Sequence, residues 1–362
     1  MSMVRLTRGW VDQYFSDEEA LFLLFLLIAG FVVVLTLGSI LAPAIASVIV
    51  AYLLQGPLFF LKRRGVSHLT ACIVVFVFFV MACLALFFVI FPAVWGQVTQ
   101  LFGELPGMLD KVQRLMIILP ERYPQLFSEE QIKTLASTVS EELGHFGQRA
   151  LSFSLSKLPN LVAILIYLVL VPLLVFFFLK DGSMMVRWWV SLLPHKRVLI
   201  GQVWREMDEQ FANYIRGKVV EIVAAGGVTY LAFAIMGINY AALLAILVGL
   251  SVVIPYIGAA VVTVPVVLIA YFQWGVGSDF YYLVAVYFII QALDGNVLVP
   301  LLFSEAVNLH PVVIILAVLV FGGLWGLWGV FFAIPLATLF NAVITSWPRG
   351  VKAAHVDQDL IS

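Results

Sequence analysis

Four carboxylates stand in a long apolar stretch of this sequence that contains no lysine and no arginine. The stretch runs from 219 to 347, more than a third of the 362 residues. Its carboxylates are Glu221, Asp279, Asp294 and Glu305. Ionisable side chains at membrane depth are costly and usually serve a transport pathway or a binding site. These residues are therefore the first candidates for chemistry, as proton carriers or as ligands of a cation.

The strongest candidate is the tripeptide Asp294-Gly295-Asn296, which interrupts an apolar run shortly after Gln291. Aspartate supplies a titratable oxygen, asparagine supplies an amide, and glycine lets the backbone open. Such a group could bind a cation, carry a proton or hydrogen-bond a polar solute. The alternative is an interfacial turn with a hydrated Asp294. The apolar residues that continue beyond the tripeptide favour the functional interpretation.

The other ionisable residues of the stretch have simpler interpretations. Glu221 follows Lys218 by three positions, so an ion pair on a helix surface is the simpler account and a pathway role is the alternative. Asp279 reads as a loop residue, and Glu305 as an interfacial or a functional residue with equal weight. His310 titrates near neutral pH and is equally compatible with a structural turn and a proton relay.

Composition places the chain among polytopic membrane proteins. Apolar residues make up 63% and charged residues 11%, whereas soluble domains average about 45–50% and about 25%. A spanning helix needs about 20 apolar residues. We therefore predict two spanning helices within 20–61, joined by a turn near Gly38-Ser39, and further spanning helices at 69–95 and 158–179.

An internal repeat follows in the second half of the chain. Asn239 and Asn308 are 69 positions apart, and Pro265 and Pro335 are 70 positions apart. Each copy has two apolar halves joined by a glycine- or proline-rich break, and the first halves are only 15 and 11 residues long. We predict two re-entrant hairpins or broken helices that enter from opposite faces, preceded by spanning helices at roughly 219–236 and 280–304. The predicted break residues are Pro255, Gly258, Gly322, Gly323, Gly326 and Gly329.

Two alternatives remain for these breaks. Glycine and proline could merely kink ordinary helices, or Gly322, Gly326 and Gly329 could form a close-packing face. Paired interrupted segments are nevertheless the best pointer in a sequence to a transporter's binding site. The predicted substrate or ion pathway consists of Asp294, Asn296, Glu221, Gln291, Tyr256, Asn239, Asn308 and His310.

The fold class is all-α polytopic membrane protein, with about six spanning helices and two re-entrant or broken hairpins, eight apolar segments in all. The segment 180–218 has a net charge of +3 and the lobe 96–156 a net charge of −2, and lysine and arginine excess marks the cytoplasmic side. Both termini are therefore expected in the cytoplasm, and Arg216 and Lys218 are interpreted as snorkelling anchors. The predicted divisions are 1–95 with three spanning helices, a periplasmic helical lobe at 96–157, a fourth spanning helix at 158–179, a cytoplasmic amphipathic segment at 180–218, a transport core at 219–348 and a cytoplasmic tail at 349–362.

Several motifs together resemble the autoinducer-2 exporter (AI-2E) family over nearly the whole chain. They include Tyr214-Ile215-Arg216-Gly217, Ile254-Pro255-Tyr256-Ile257-Gly258, Asp294-Gly295-Asn296 with Pro300, and Leu309-His310-Pro311. The resemblance implies a multi-pass permease of the bacterial inner membrane. Some members of that family are associated with export of the autoinducer-2 signal and others with sodium(lithium)/proton antiport.

The sequence favours a secondary transporter, an exporter of a small polar solute coupled to H⁺ or Na⁺. It contains no zinc-protease, serine-hydrolase or Walker A signature, so an enzyme is not expected. A membrane scaffold that binds a partner through its extramembrane segments is the alternative, and a channel is less favoured. The expected partners are the lipid bilayer and the solute, without nucleic acid, cofactor or metal, and a homo-oligomer of unspecified stoichiometry stays open.

Overall fold

A computed structural model describes residues 18–122, 161–193, 198–255, 257–303 and 309–347. All regular elements in these ranges are helical, and eight segments are long and apolar enough to cross a membrane. The predicted all-α membrane fold is thereby confirmed. Tyr256, Glu305, Asn308, both chain termini and residues 123–157 of the predicted lobe lie outside the described residues.

The helices follow one another along the chain with two π-helical turns inserted. They are α1 Glu18–Arg63, α2 His68–Ala85, α3 Phe91–Arg122, α4 Leu161–Ser191, α5 Val198–Met236, α6 Ala241–Ser251, α7 Ile257–Trp274, α8 Ser278–Leu293, α9 Val299–Phe303, α10 Pro311–Trp325 and α11 Leu327–Ser346. The π-helical turns are Leu86–Ile90, between α2 and α3, and Asp294–Leu298, between α8 and α9.

The two spanning helices predicted within 20–61 are confirmed, but α1 stays helical near residues 38–39 and bends instead of forming the predicted turn. Glu19 Oε1 accepts a hydrogen bond of 2.9 Å from the Ile200 N–H, and the Tyr52 hydroxyl donates to the Asp208 carboxylate. The two partners lie eight residues apart in α5, roughly 12 Å. A straight helix would separate Glu19 from Tyr52 by roughly 50 Å. The bend divides α1 into two candidate spans, Glu18–Gly38 and Ile40–Arg63. The helix can continue through Gly38, because a glycine within a helix destabilises it by only about 1 kcal/mol.

Helices α6 and α7 form a hairpin, hairpin 1, whose two ends lie together beside the end of α5. Gln273 accepts a hydrogen bond of 2.7 Å from the Asn239 N–H and donates one of 2.8 Å to the Gly237 carbonyl. At the opposite end of the hairpin, the Val252 carbonyl accepts a hydrogen bond from Lys218, in the middle of α5. The chain therefore enters and leaves at one end of α5, as predicted for a re-entrant hairpin.

Helices α10 and α11 form hairpin 2, which enters from the other end of α5. The two helices are joined at Gly326, whose φ of +61° favours glycine. At its open end, Val343 packs in a cluster with Ile200 and Val203 from the first turns of α5. The two hairpins thus enter from opposite ends of α5, in agreement with the prediction.

Each hairpin combines a short helix with a longer one. Helices α6 and α10 have 11 and 15 residues, too few to span a bilayer of about 30 Å. Helices α7 and α11 have 18 and 20 residues and are counted among the eight candidate spans. The predicted short first half of each hairpin is therefore confirmed, whereas the second helix of each hairpin is long enough to span.

The repeat is visible in the packing of the two hairpins. A Cβ atom at Gly258 would overlap the carbonyl oxygen of Ser251, and a Cβ atom at Gly329 would overlap that of Phe321. Ser251 and Phe321 are 70 positions apart and Gly258 and Gly329 are 71 apart, close to the repeat intervals of 69 and 70 in the sequence. In both hairpins the second helix therefore begins against the end of the first, at a contact that only glycine permits.

Only some of the predicted break residues lie at the breaks. Pro255 is in the loop between α6 and α7, and Gly326 joins α10 to α11. Gly322 and Gly323 are inside α10, so the prediction that they form the break is wrong. Gly322 is needed for close packing instead, because a Cβ atom there would lie 2.9 Å from Val330.

Three of the predicted divisions fall inside continuous helices. The positions 95/96, 179/180 and 218/219 lie within α3, α4 and α5, respectively. Apolar and polar parts of the chain are thus joined there by helices rather than by loops.

Candidate functional site

A buried ion pair lies in the middle of α5. The Nζ atom of Lys218 is 2.7 Å from the Oε2 atom of Glu221, and the two residues are 3% and 2% exposed. The predicted pair is confirmed, but its predicted place on a helix surface is wrong, as is the interpretation of Lys218 as a snorkelling anchor. The reason is that α5 begins 20 residues before Lys218 and the tip of hairpin 1 contacts the pair.

The Lys218 ammonium is held by groups from three elements. Besides Glu221, it donates a hydrogen bond of 3.0 Å to the Val252 carbonyl, directly after the end of α6. Such terminal carbonyls lack partners within the helix and carry its partial negative charge. The rings of Phe303 in α9 and Tyr214 in α5 lie 5.1 Å and 6.0 Å from Nζ. The ammonium is thus surrounded by a carboxylate, a carbonyl and two aromatic faces.

Asp294 lies in the π-helical turn beside this pair. The turn packs against α5, which places the Asp294 carboxylate within electrostatic range of Lys218 and Glu221 but not in an ion pair with Lys218. Its Oδ1 atom is buried and has no hydrogen-bond partner among the described residues. π-helical turns are frequent at functional sites because they displace side chains from the regular helical register. Lys218, Glu221 and Asp294 form what we call the charge cluster, with one ammonium and two carboxylates.

The residues that flank Asp294 have local roles. Asn296 is exposed, and its amide donates a hydrogen bond of 2.8 Å to the Ala292 carbonyl, within the same helical segment. Gln291 is half-buried, about one turn before Asp294. Asp279 was predicted to lie in a loop but is in the first turn of α8, where its charge complements the helix dipole.

Two further predicted pathway residues lie outside the charge cluster. His310 is exposed, and its Nδ1 atom accepts a hydrogen bond of 3.2 Å from the Val312 N–H, so it caps the start of α10. This contact agrees with the interpretation of His310 as a residue that stabilises a turn. Asn239 is at the open end of hairpin 1, which lies at the end of α5. The structure therefore brings Glu221 and Asp294 together but not His310 or Asn239.

Asn239 instead lines a separate polar cavity of about 280 Å³ between α3 and hairpin 1. Glu104 and Lys111 contribute the charged groups, and Tyr240 and Gln273 complete its polar lining. Burial raises the pKa of the Tyr240 phenol, and the neighbouring Glu104 carboxylate adds to this effect. Sequence reasoning missed this cavity, because it assigned α3 and hairpin 1 to separate parts of the chain.

Sequence comparison places this architecture in a family. The model of the AI-2E family transporters matches residues 21–349. The chain belongs to the AI-2E transporter family. It is 50% identical over 348 residues to the protein named "Putative permease PerM" of Escherichia coli strain K12, which covers 96% of this chain and 99% of that protein. This AI-2E family member is therefore a multi-pass membrane protein.

More distant relatives of this AI-2E transporter come from Bacillus subtilis strain 168. The chain is 25% identical over 308 residues to "Putative transport protein YueF", with 84% of this chain and 83% of that protein covered. It is 26% identical over 319 residues to "Putative transport protein YrrI", with 87% and 88% covered. Family membership and these names thus agree with transport across a lipid bilayer.

Lys218 is the residue of the AI-2E transporter's cluster that sequence reasoning placed wrongly. Its spacing to Glu221 indicated an ion pair, and it is the last cation before the stretch without lysine or arginine. What the sequence did not indicate is that the carbonyl of Val252, 34 positions later, returns to it. Lys218 precedes the apolar stretch in the sequence, but its positive charge therefore lies inside the folded apolar core.

Proposed function

We propose that this AI-2E family member is a secondary transporter that exports a small polar solute from the bacterial cytoplasm, coupled to H⁺ or Na⁺. The observation that carries the proposal is the buried charge cluster at the junction of α5, the tip of hairpin 1 and the π-helical turn. A buried ion pair is weak evidence for stability, because desolvation offsets its attraction. Charged groups inside a membrane are accordingly a functional hypothesis by default.

The hairpin arrangement supports an alternating-access mechanism. Broken helices that enter from opposite faces are the usual setting for substrate and ion sites in secondary transporters. The tip of hairpin 1 contributes Ile254 to the cluster of hairpin 2 that contains Phe321 and Ala333. Movement of one hairpin against the other would therefore alter the surroundings of Lys218.

The charge cluster offers a means of coupling. Of the two carboxylates near it, Lys218 is hydrogen-bonded only to that of Glu221, while one oxygen of Asp294 has no partner among the described residues. Protonation of Asp294, or a shift of the ammonium from Glu221 towards Asp294, would change the charge felt by the Val252 carbonyl. Such a change gives the hairpin tip two arrangements that an ion gradient could bias.

The family name makes autoinducer-2 the first solute to test. The full chain would be reconstituted into sealed proteoliposomes, and flux of labelled autoinducer-2 and of ²²Na⁺ measured under an imposed pH or sodium gradient. A secondary transporter shows gradient-dependent flux of the solute or exchange of the ion. The proposal would be contradicted if both probes showed no flux above protein-free liposomes and the protein also caused no gradient-driven proton movement.

Asp294→Asn tests the role of the cluster within that assay. The variant keeps the shape of the side chain but cannot carry a proton, so flux is expected to fall at least about tenfold, equivalent to about 1.4 kcal/mol of barrier. Asp279→Asn, an exposed carboxylate in the first turn of α8, is the matched control and should retain the wild-type flux. Unchanged flux in Asp294→Asn would remove Asp294 from the mechanism.

A further inference from the structure

The Lys218 ammonium lies in surroundings that would suit a bound alkali-metal cation. Its two oxygen partners are the Glu221 carboxylate at 2.7 Å and the Val252 carbonyl at 3.0 Å. The carbonyl belongs to the C-terminal end of a short helix within a broken hairpin. In secondary transporters, such half-helix ends and unwound carbonyls commonly coordinate Na⁺.

We infer that Lys218 acts as a tethered cation that occupies a monovalent cation site formed by the Glu221 carboxylate and the Val252 carbonyl, close to the Asp294 carboxylate, so that the wild-type chain binds neither Na⁺ nor Li⁺ there. The inference deepens the proposed function and rests on it as far as coupling is concerned. It also narrows the candidate coupling ions. Because the Lys218 ammonium already fills the site, Na⁺ and Li⁺ cannot bind there, and H⁺ is the ion that remains for coupling.

Burial and charge both support this assignment. Lys218 is 3% exposed, so an ammonium and a metal ion cannot share the position. With the ammonium present, one of two carboxylate charges is compensated within the cluster. Without it, two carboxylates and a helix C-terminus would be left without a cation, and leaving buried charge uncompensated is strongly unfavourable. A small monovalent cation is the simplest replacement.

Other cations of the described residues do not take this place. Arg216, two positions before Lys218, points towards α1, where its Nε atom is 4.0 Å from the position of a Cβ atom at Gly56. Ile49 and Leu53 from α1 and Phe331 and Ile334 from α11 pack in the neighbouring cluster around Tyr214 and Phe303. The charged groups at the site are therefore Lys218 and Glu221 from α5 and Asp294 from the π-helical turn.

Removal of the ammonium should create a site for an external cation. We expect Lys218→Ala, purified as the full chain in detergent, to be stabilised by NaCl or LiCl relative to choline chloride at equal ionic strength. At a cation concentration ten times the dissociation constant, the midpoint of thermal unfolding should rise by about 2 °C. The wild type should show no such difference between the three salts. Lys218→Ala combined with Glu221→Gln should lose the response, since the carboxylate ligand is gone.

Several outcomes would overturn the inference without any transport measurement. One is wild-type stabilisation by Na⁺ or Li⁺, or ²²Na⁺ binding, that Glu221→Gln abolishes. Another is a folded Lys218→Ala variant that responds equally to all three salts.

Lys218→Ser serves as the second variant. If both Lys218 variants fold only when Na⁺ or Li⁺ is present, the inference holds; if they remain unfolded in every salt, the ammonium is not replaceable by a cation and the inference fails.

Discussion

The Nζ atom of Lys218 donates a hydrogen bond of 3.0 Å to the backbone carbonyl of Val252, the residue directly after α6. This contact joins the middle of α5 to the tip of hairpin 1. It explains how a region of 129 residues without a lysine or an arginine can retain the buried carboxylate of Glu221. The positive charge is that of Lys218, which immediately precedes the region in the sequence and whose side chain points into it.

The buried pair makes a prediction about stability. Glu221→Gln leaves the Lys218 ammonium buried without its partner charge, so the free energy of unfolding should fall by about 3–5 kcal/mol. The double substitution Lys218→Met and Glu221→Leu removes both charges and should return stability to within about 1 kcal/mol of the wild type, or above it. Thermal unfolding of the detergent-purified chain measures both changes.

The pair Lys180–Asp181 provides the control for that prediction. Its side chains are separated by 3.4 Å and are 39% and 30% exposed. Because exposed pairs contribute about 0–1 kcal/mol, Asp181→Asn should lower stability by less than about 1 kcal/mol. Equal losses in Glu221→Gln and Asp181→Asn would show that the buried environment of Lys218 is not as described.

The glycines at the hairpin breaks give a second prediction. A methyl group at Gly258 or Gly329 would overlap a backbone carbonyl of the preceding helix, which cannot move away as a side chain could. Gly258→Ala and Gly329→Ala should therefore each destabilise the chain by about 1–3 kcal/mol or more. The measurement is the midpoint of thermal unfolding of each purified variant.

Gly323 is the matched control for these substitutions. It lies within α10 with open space around it. Alanine is favoured over glycine in a helix by about 1 kcal/mol, so Gly323→Ala should be neutral or slightly stabilising. If Gly258→Ala and Gly329→Ala behave like Gly323→Ala, the close contact between the two helices of each hairpin is absent.

Opposite entry of the two hairpins predicts opposite accessibility of their open ends. Asn239 and His310 are exposed residues at the starts of α6 and α10. In a background with Cys72→Ala and Cys83→Ala, a membrane-impermeant maleimide should label Asn239→Cys in intact cells and His310→Cys only in everted vesicles. This assignment follows from the cytoplasmic excess of lysine and arginine. Labelling of both positions from the same side would contradict the arrangement of the hairpins around α5.

Local sequence patterns predicted the helices and the repeat but not the tertiary contacts. The interval from Pro265 to Pro335 predicted two related hairpins, because each copy carries its own break and its own apolar halves. The bend of α1 was mistaken for a turn, because Gly38-Ser39 indicates a break whether or not helical hydrogen bonds continue through it. The position of Lys218 was missed for a different reason. The tip of hairpin 1 buries Lys218 through a contact with Val252, and the pattern of residues within α5 cannot indicate such a contact.

The sequence predicted which carboxylates belong to the candidate site but not how they are arranged. Asp294 and Glu221 were singled out by their presence in an apolar stretch, and they lie in one cluster. Asn239 and His310 were grouped with them because glycine or proline neighbours suggested breaks. Their described contacts hold the ends of hairpins, and a sequence cannot distinguish a residue that stabilises a turn from one that lines a pathway.

The most direct test of the central claim is transport by a variant that lacks the buried charges but keeps the fold. Lys218→Met combined with Glu221→Leu should unfold at or above the wild-type temperature, so a loss of flux cannot be attributed to unfolding. The measurement is gradient-driven flux in sealed proteoliposomes, with the probe that the wild type transports. We predict a loss of at least about tenfold in flux at unchanged thermal stability. Wild-type flux from the folded double variant would contradict the account, because the ion pair would then be dispensable for transport.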